Sequence, residues 1–229
     1  MNCVKAVAFD LDDTLIRTTV DFKRMKQEII QLFGTLGLDE EMLSTSELTY
    51  MIIERGTDLL AAQGASDARL KEIRTEITGI MNRVELESIP RVEAMPSAHE
   101  VLLELRKRGI RIGVVTRGCR AYALTALERA GLSGAIDVVL ARDDVDRPKP
   151  DPAHLMELVA RLGVSRGEIL SVGDHRTDYE CAQAAQIPFI GITSGDSTLA
   201  DLVKADQRAA VLESIGELPE FLLHLPFST

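Results

Sequence analysis

The sequence has few cysteines, no excess of positive charge and no long apolar run, and each absence excludes a class of protein. Cys3, Cys119 and Cys181 are widely separated and form no CxxC pair, which argues against a disulfide framework and a zinc knuckle. We therefore expect a reducing, cytoplasmic environment. The formal net charge of −10 disfavours a nucleic-acid polymer or an anionic membrane as partner, because both require clustered positive charge.

The apolar segments are too short to span a membrane, and the N-terminus lacks a basic region followed by a signal-length apolar core. We accordingly expect neither a membrane span nor a secretory signal. With 229 residues and 45% hydrophobic content, the chain can form one sizeable core domain with an insertion, or two small domains. An anionic substrate would have to be held by a few local cations or a metal ion.

What the sequence does contain is a short apolar run that ends in three carboxylates. Residues 4–9 have the composition of a buried strand, and Asp10, Asp12 and Asp13 follow. If the chain stays extended, the side chains of Asp10 and Asp12 point to the same side. Two crowded carboxylates favour a metal site, an acid/base pair, or both. The alternative is that Asp12, Asp13 and Thr14 only begin a turn and cap a helix, but this does not explain an aspartate at a buried strand end.

Residues 16–92 show helical periodicity without a strand pattern. Helices are predicted over residues 21–36, 45–63 and 67–87, with glycines between them. The charges of this region are mixed, which is typical of solvated helix surfaces. This region is predicted to form a bundle of three or four helices.

From Pro96 onwards, predicted helices and strands alternate. The helices are predicted at residues 97–109, 120–130, 153–162, 178–185 and near 218–225, and the strands at 110–116, 136–140, 169–172 and 189–192, with a last short unit around Asp201, Ala210 and Val211. This alternation predicts an α/β fold with a doubly wound parallel sheet covered on both faces. In such sheets ligands bind at the carboxyl ends of the strands.

Polar residues follow several of the predicted strands. Asp10 and Asp12 follow the first strand, and the others are Thr116 with Arg117, Lys149 between two prolines, and Asp174 with Asp178. Each has an ordinary structural explanation: Thr116 or Asp174 can cap a helix, and Lys149 can be a solvated loop charge. Together they place carboxylates, a hydroxyl and an ammonium at one edge of the sheet. That set suits Mg²⁺ shared with a substrate phosphate.

Over essentially its whole length, the chain resembles the haloacid dehalogenase superfamily, in the branch of phosphoglycolate-phosphatase-like and β-phosphoglucomutase-like hydrolases with a helical cap. The four motifs of that family occur in order as Asp10-Leu11-Asp12-Asp13-Thr14, Val114-Val115-Thr116, Pro148-Lys149-Pro150-Asp151-Pro152 and Val172-Gly173-Asp174-His175-Arg176-Thr177-Asp178. The resemblance implies a Rossmann-like core of residues 1–15 and 93–229, with residues 16–92 as the α-helical cap.

The resemblance also implies roles for individual residues. Asp10 would be the nucleophile and Asp12 the general acid/base, with Thr116 and Lys149 holding the phosphoryl group. Asp174 and Asp178 would complete a Mg²⁺ site with Asp10 and Asp12. Dehalogenase members lack the second aspartate of the first motif, so Asp12 favours phosphoryl chemistry.

The expected function is Mg²⁺-dependent hydrolysis of a small phosphorylated metabolite through an aspartyl phosphate, by a monomer or homodimer. A phosphosugar mutase and a catalytically silent phosphoryl-binding or regulatory protein are the alternatives. A phosphatase mechanism with a cysteine nucleophile is disfavoured, because Cys119 has no arginine six positions later. A nucleotide-binding P-loop is also disfavoured, because the chain has no Gly-Lys pair.

Some positions differ from the family pattern or have an open role. Asp13 replaces a common glycine, Arg117 follows Thr116, and His175 and Arg176 replace smaller residues. The cap is expected to select the substrate, because its attachment after Leu15 places its hinges beside the predicted catalytic residues. Arg17 is the candidate for binding a substrate carboxylate or second phosphate, although a hinge salt bridge is an alternative role.

Overall fold

The computed structural model describes residues 4–193 and 206–224, together with Leu199 and Val203. The chain divides into two compact units. Met1–Thr18 and Arg91–Thr229 form one, which we call the core unit, and Thr19–Pro90 form the other, which we call the helical unit. These borders lie within a few residues of the expected ones. Residues 16–17, which were predicted to begin the cap, pair with residues 93–94 and belong to the core unit.

The core unit is built on a six-stranded parallel sheet, which confirms the predicted α/β class. Among the described residues the strands are β1 Ala6–Phe9, β2 Ile16–Arg17, β3 Glu93–Ala94, β4 Arg111–Val115, β5 Val138–Leu140, β6 Ile169–Gly173, β7 Phe189–Ile192 and β8 Ala209–Leu212. The sheet has the order β5-β4-β1-β6-β7-β8. The apolar strand β1 is therefore central, and Phe9 is in register with Val114 on one side and Val172 on the other.

Eight helices with the following bounds occur in the described part of the chain. They are α1 Phe22–Thr35, α2 Thr49–Ala62, α3 Asp67–Ser88, α4 Ala98–Lys107, α5 Arg120–Arg129, α6 Pro152–Leu162, α7 Arg176–Ala185 and α8 Leu218–Phe221. Helices α6 and α7 pack against each other and onto the central strands, and bury a core with Ala6 and Ala8 of β1. None of the described helices is long and apolar enough to cross a membrane.

The helical unit contains α1, α2 and α3, and each packs against the other two. Helix α1 begins where the Asp21 side chain accepts a hydrogen bond from the Arg24 N–H, at 2.9 Å. Helix α2 begins at Thr49, later than the predicted residue 45. Ser44 and Ser46 explain the delay, because their hydroxyls hydrogen-bond each other and Ser44 Oγ accepts from the Ser46 N–H, which stabilises a turn instead of a helix.

Strands β2 and β3 form a separate antiparallel pair within the core unit. Ile16 is in register with Ala94 and Arg17 with Glu93, and the Met95 N–H donates to the Leu15 carbonyl at 2.9 Å. The segments that lead into and out of the helical unit are thus hydrogen-bonded to each other.

The C-terminal elements differ from the prediction in extent. Helix α8 ends at Phe221, earlier than predicted, and β8 corresponds to the short unit expected near Ala210 and Val211. Asp201, Leu225 and Cys3, which the sequence analysis also used, lie outside the described residues.

Candidate active site

The carboxyl ends of β1, β4 and β6 lie side by side at the centre of the sheet. From β1 the chain adds strands on one side with β4 and β5, and on the other with β6, β7 and β8. Such a reversal of strand order opens a crevice at the carboxyl ends of the strands. Asp10 leaves β1 at this point, and its N–H donates to the Val172 carbonyl of β6 at 2.8 Å.

A buried lysine joins two of the predicted aspartates. Lys149 Nζ donates to Asp10 Oδ1 and to Asp178 Oδ1, at 2.5 Å each. Its side chain is 5% exposed, so the alternative explanation of a solvated loop charge is wrong. The Lys149 N–H donates to His154 Nδ1 at 3.2 Å. The lysine is thus held at both its backbone and its ammonium group.

His154 is fully buried on α6, and sequence analysis missed it. Burial and then the nearby Lys149 charge lower the pKa of His154 to about 3, so the imidazole is neutral. A neutral imidazole can accept the Lys149 N–H. His154 lies two residues after Pro152 in the sequence, and this position gives no indication of its contact with Lys149.

Asp10, Asp174 and Asp178 form a group of carboxylates whose oxygens can lie within 4.8 Å of one another. Gly173 leaves room for this arrangement, since a Cβ there would lie 2.6 Å from Asp178 Cγ. The Thr14 hydroxyl donates to Asp174 Oδ1 at 3.3 Å, and the His175 N–H donates to Asp178 Oδ2 at 3.1 Å. The segments that follow β1 and β6 thus supply this one cluster.

The electrostatics of this cluster favour an additional cation. Burial, followed by the charges of Asp178 and Asp13, raises the pKa of Asp174 to about 7. Burial also raises the pKa of Asp10 well above its ordinary value, although the Lys149 charge opposes this rise. Burial lowers the pKa of Lys149, but Asp10 and Asp178 together raise it further, so it stays charged. One ammonium does not balance three carboxylates, and hard oxygen donors at this spacing fit Mg²⁺.

Asp12 differs from the expectation in two respects. The chain bends at Leu11, so Asp10 and Asp12 do not continue one extended strand, and the prediction of an extended segment is wrong. Among the described residues, the carboxylate cluster does not include Asp12. Instead, Tyr122 Oη donates to Asp12 Oδ1 at 2.6 Å. The bend thus accompanies a position of Asp12 outside the carboxylate cluster. Nothing in the sequence indicated the contact with Tyr122.

The structure gives each of the other predicted residues a place of its own. Thr116 is buried at the end of β4, and its Oγ1 accepts from the Gly118 N–H at 2.9 Å. Arg17 is exposed on β2, and no ion pair to it is recorded within the described part of the chain. His175 caps α7, since its Nδ1 accepts from the Thr177 N–H at 3.2 Å. The Asp13 side chain accepts from the Thr18 N–H at 3.0 Å.

This sheet and its carboxylate cluster define a class of hydrolase, and comparison with known proteins agrees. Residues 7–192 match the family model described as haloacid dehalogenase-like hydrolase. The chain belongs to this family.

Individual relatives within this family are phosphatases or share its fold. The chain is 30% identical over 220 residues to a phosphoglycolate phosphatase of Rhodospirillum rubrum, covering 95% of this chain and 90% of the relative. A crystal structure from Bacteroides fragilis, described as a haloacid dehalogenase-like hydrolase, has 25% identity and a TM-score of 0.69, covering 94% and 99% of the two chains. A structure from Thermotoga maritima named as a β-phosphoglucomutase has 21% identity and a TM-score of 0.63, covering 97% and 100%, and shows a shared fold. The chain is a phosphatase-type hydrolase.

Proposed function

We propose that the protein is a Mg²⁺-dependent phosphatase that hydrolyses a small phosphate monoester, with Asp10 as nucleophile. The observation that carries this proposal is the Asp10 carboxylate, which is 11% exposed and is held by Lys149 beside Asp174 and Asp178. These residues fit a bound Mg²⁺, with Asp10, Asp174 and Asp178 as its side-chain ligands. When bound, the ion would offset the negative charges of nucleophile and phosphate as they approach.

In the first step an Asp10 carboxylate oxygen attacks phosphorus, and the bond from phosphorus to the leaving oxygen breaks. Asp12 transfers its proton to that leaving oxygen, and an aspartyl phosphate results. In the second step water attacks the phosphorus and gives a proton to Asp12. The bond from phosphorus to Asp10 breaks, which releases inorganic phosphate and restores both aspartates.

Lys149 and Thr116 act on the phosphoryl group in this proposal. The Lys149 ammonium orients Asp10 and offsets the charge that grows on the phosphoryl oxygens. The Gly118 N–H occupies an acceptor site on Thr116 Oγ1, so the threonine can direct its own hydrogen to a phosphoryl oxygen. Both side chains are buried and pre-oriented, which reduces the cost of ordering them during the reaction.

The relatives' name supports a small substrate such as a phosphorylated hydroxy acid. We propose that the helical unit selects it, and that Arg17 binds a carboxylate or second phosphate on it. The mutase named among the structural neighbours shares the fold at 21% identity, and no described residue favours transfer over hydrolysis. The phosphatase is therefore the function that we put forward.

The test is Asp10→Asn, which keeps the size of the side chain and removes its attacking charge. With Mg²⁺ present, turnover of phosphate monoesters should fall by about three orders of magnitude or more, as for loss of a catalytic nucleophile. Asp137→Asn is the matched control, because Asp137 lies directly before β5, where it contacts Arg106, and should leave turnover unchanged. Near-normal turnover in Asp10→Asn would overturn the assignment.

A further inference from the structure

The hydrogen bond between Tyr122 and Asp12 has no part in the function proposed so far. Tyr122 lies in the first turn of α5 and is fully buried. Its hydroxyl donates to Asp12 Oδ1 at 2.6 Å, which is the length of a strong O–H to carboxylate bond. The two residues are 110 positions apart, so the contact depends on the tertiary fold.

The loop after β4 makes room for the tyrosine ring. A Cβ added at Gly118 would lie 2.7 Å from Tyr122 Cδ1, closer than real Cβ contacts allow. The same glycine donates its N–H to Thr116 Oγ1. Gly118 therefore lets the ring pass beneath the loop that carries Thr116. A buried ring with one donor and little free space cannot readily turn its hydroxyl elsewhere.

We propose that Tyr122 is a positioning residue that holds the Asp12 carboxyl group in the orientation for proton transfer. This inference rests on the proposed function, in which Asp12 gives a proton to the leaving oxygen and later takes one from water. The Tyr122 O–H on Oδ1 fixes the plane of the Asp12 carboxyl group. The carbonyl oxygen of the acid and the oxygen of the carboxylate both accept a hydrogen bond, so Tyr122 keeps the same contact in both states. Asp12 then needs no rotation between the two steps.

The test compares kcat/KM for a series of phosphate monoesters, from alkyl esters to 4-nitrophenyl phosphate, because kcat/KM reports the step that expels the leaving group. General acid catalysis is worth about 10²–10⁴-fold, and losing orientation should remove part of it. For Tyr122→Phe we expect a fall of roughly 10- to 100-fold with alkyl esters and under about threefold with 4-nitrophenyl phosphate, which needs little protonation.

Tyr179→Phe is the matched control, since it also removes a buried hydroxyl that donates to a carboxylate, that of Asp206, at 3.3 Å. It should leave the dependence on leaving group unchanged. Circular dichroism and thermal melting establish that each variant is folded. A uniform fall across the series for Tyr122→Phe would overturn the proposal, because it would indicate a purely structural role.

A double-mutant cycle tests whether Tyr122 acts through Asp12. In an Asp12→Ala background, Tyr122→Phe should change kcat/KM for alkyl esters by less than about twofold, because its partner is already absent. A full additive loss there would overturn the inference. Failure of the proposed function is a separate result: the unmodified protein would then hydrolyse no phosphate ester with Mg²⁺ present.

Discussion

Replacing Asp174 by Asn should stabilise the protein when divalent cations are absent. The pKa of Asp174 is about 7, against an ordinary value of 3.8. A shift of about three units corresponds to roughly 4 kcal/mol at a pH above both values. Asn avoids this cost and keeps an oxygen that can accept from the Thr14 hydroxyl. Since the amide must also be buried, we expect a gain of about 2–4 kcal/mol in the free energy of unfolding at pH 8.

The direction in which stability changes with pH follows from proton binding. The pKa of Asp174 is higher in the folded than in the unfolded protein, so between pH 3.8 and 7 the folded protein binds more protons. Its stability therefore falls as pH rises through that window, and the whole cost is present above pH 7. At pH 5 the gain from Asp174→Asn should be less than half of its value at pH 8.

Urea unfolding in EDTA at pH 5 and pH 8 measures this effect, followed by the same titrations with saturating Mg²⁺. Mg²⁺ should stabilise the unmodified protein and have much less effect on Asp174→Asn. Asp178→Asn is the matched control. Its free energy of unfolding should fall, because Lys149 loses a carboxylate partner at 2.5 Å. An equal gain for Asp174→Asn at both pH values, or no gain at pH 8, would refute the reasoning.

Two further predictions concern the edge of the site. Gly118→Ala should displace the Tyr122 ring and reproduce the selective loss of alkyl-ester hydrolysis, measured as kcat/KM across the leaving-group series. Unchanged kinetics in a folded variant would contradict the close packing. Arg17→Ala should raise KM about tenfold for a phosphate ester that carries a carboxylate, in line with loss of one charged contact, and change KM for an aryl phosphate less; equal changes would remove Arg17 from substrate binding.

The order and type of the elements could be predicted because each carries a local signal. The apolar strand β1, the αL glycine at residue 163 that ends α6, and the aspartate that caps its start are all local features. The start of α2 was missed because the turn at Ser44 competes with the helix through side-chain hydrogen bonds. Such competition depends on a few short contacts that periodicity does not record.

The site could be predicted in outline for a similar reason. Asp10, Lys149, Asp174 and Asp178 follow strand ends, and parallel strands bring their carboxyl ends to one edge of the sheet. The structure brings these four together. The contacts made by Tyr122 and His154 could not be predicted, because each depends on how a helix packs beside a loop from another part of the chain.

The pairing of β2 with β3 has a consequence for how the protein can evolve. Because the entry and exit of the helical unit are held together, a segment of about 70 residues costs the core only about 2–3 kcal/mol more loop-closure free energy than a tight turn. None of the six strands of the main sheet depends on that segment for its hydrogen-bonded neighbours. A recombination event at this strand pair could therefore exchange one inserted domain for another of different length, while the sheet and the residues at its carboxyl edge are inherited unchanged.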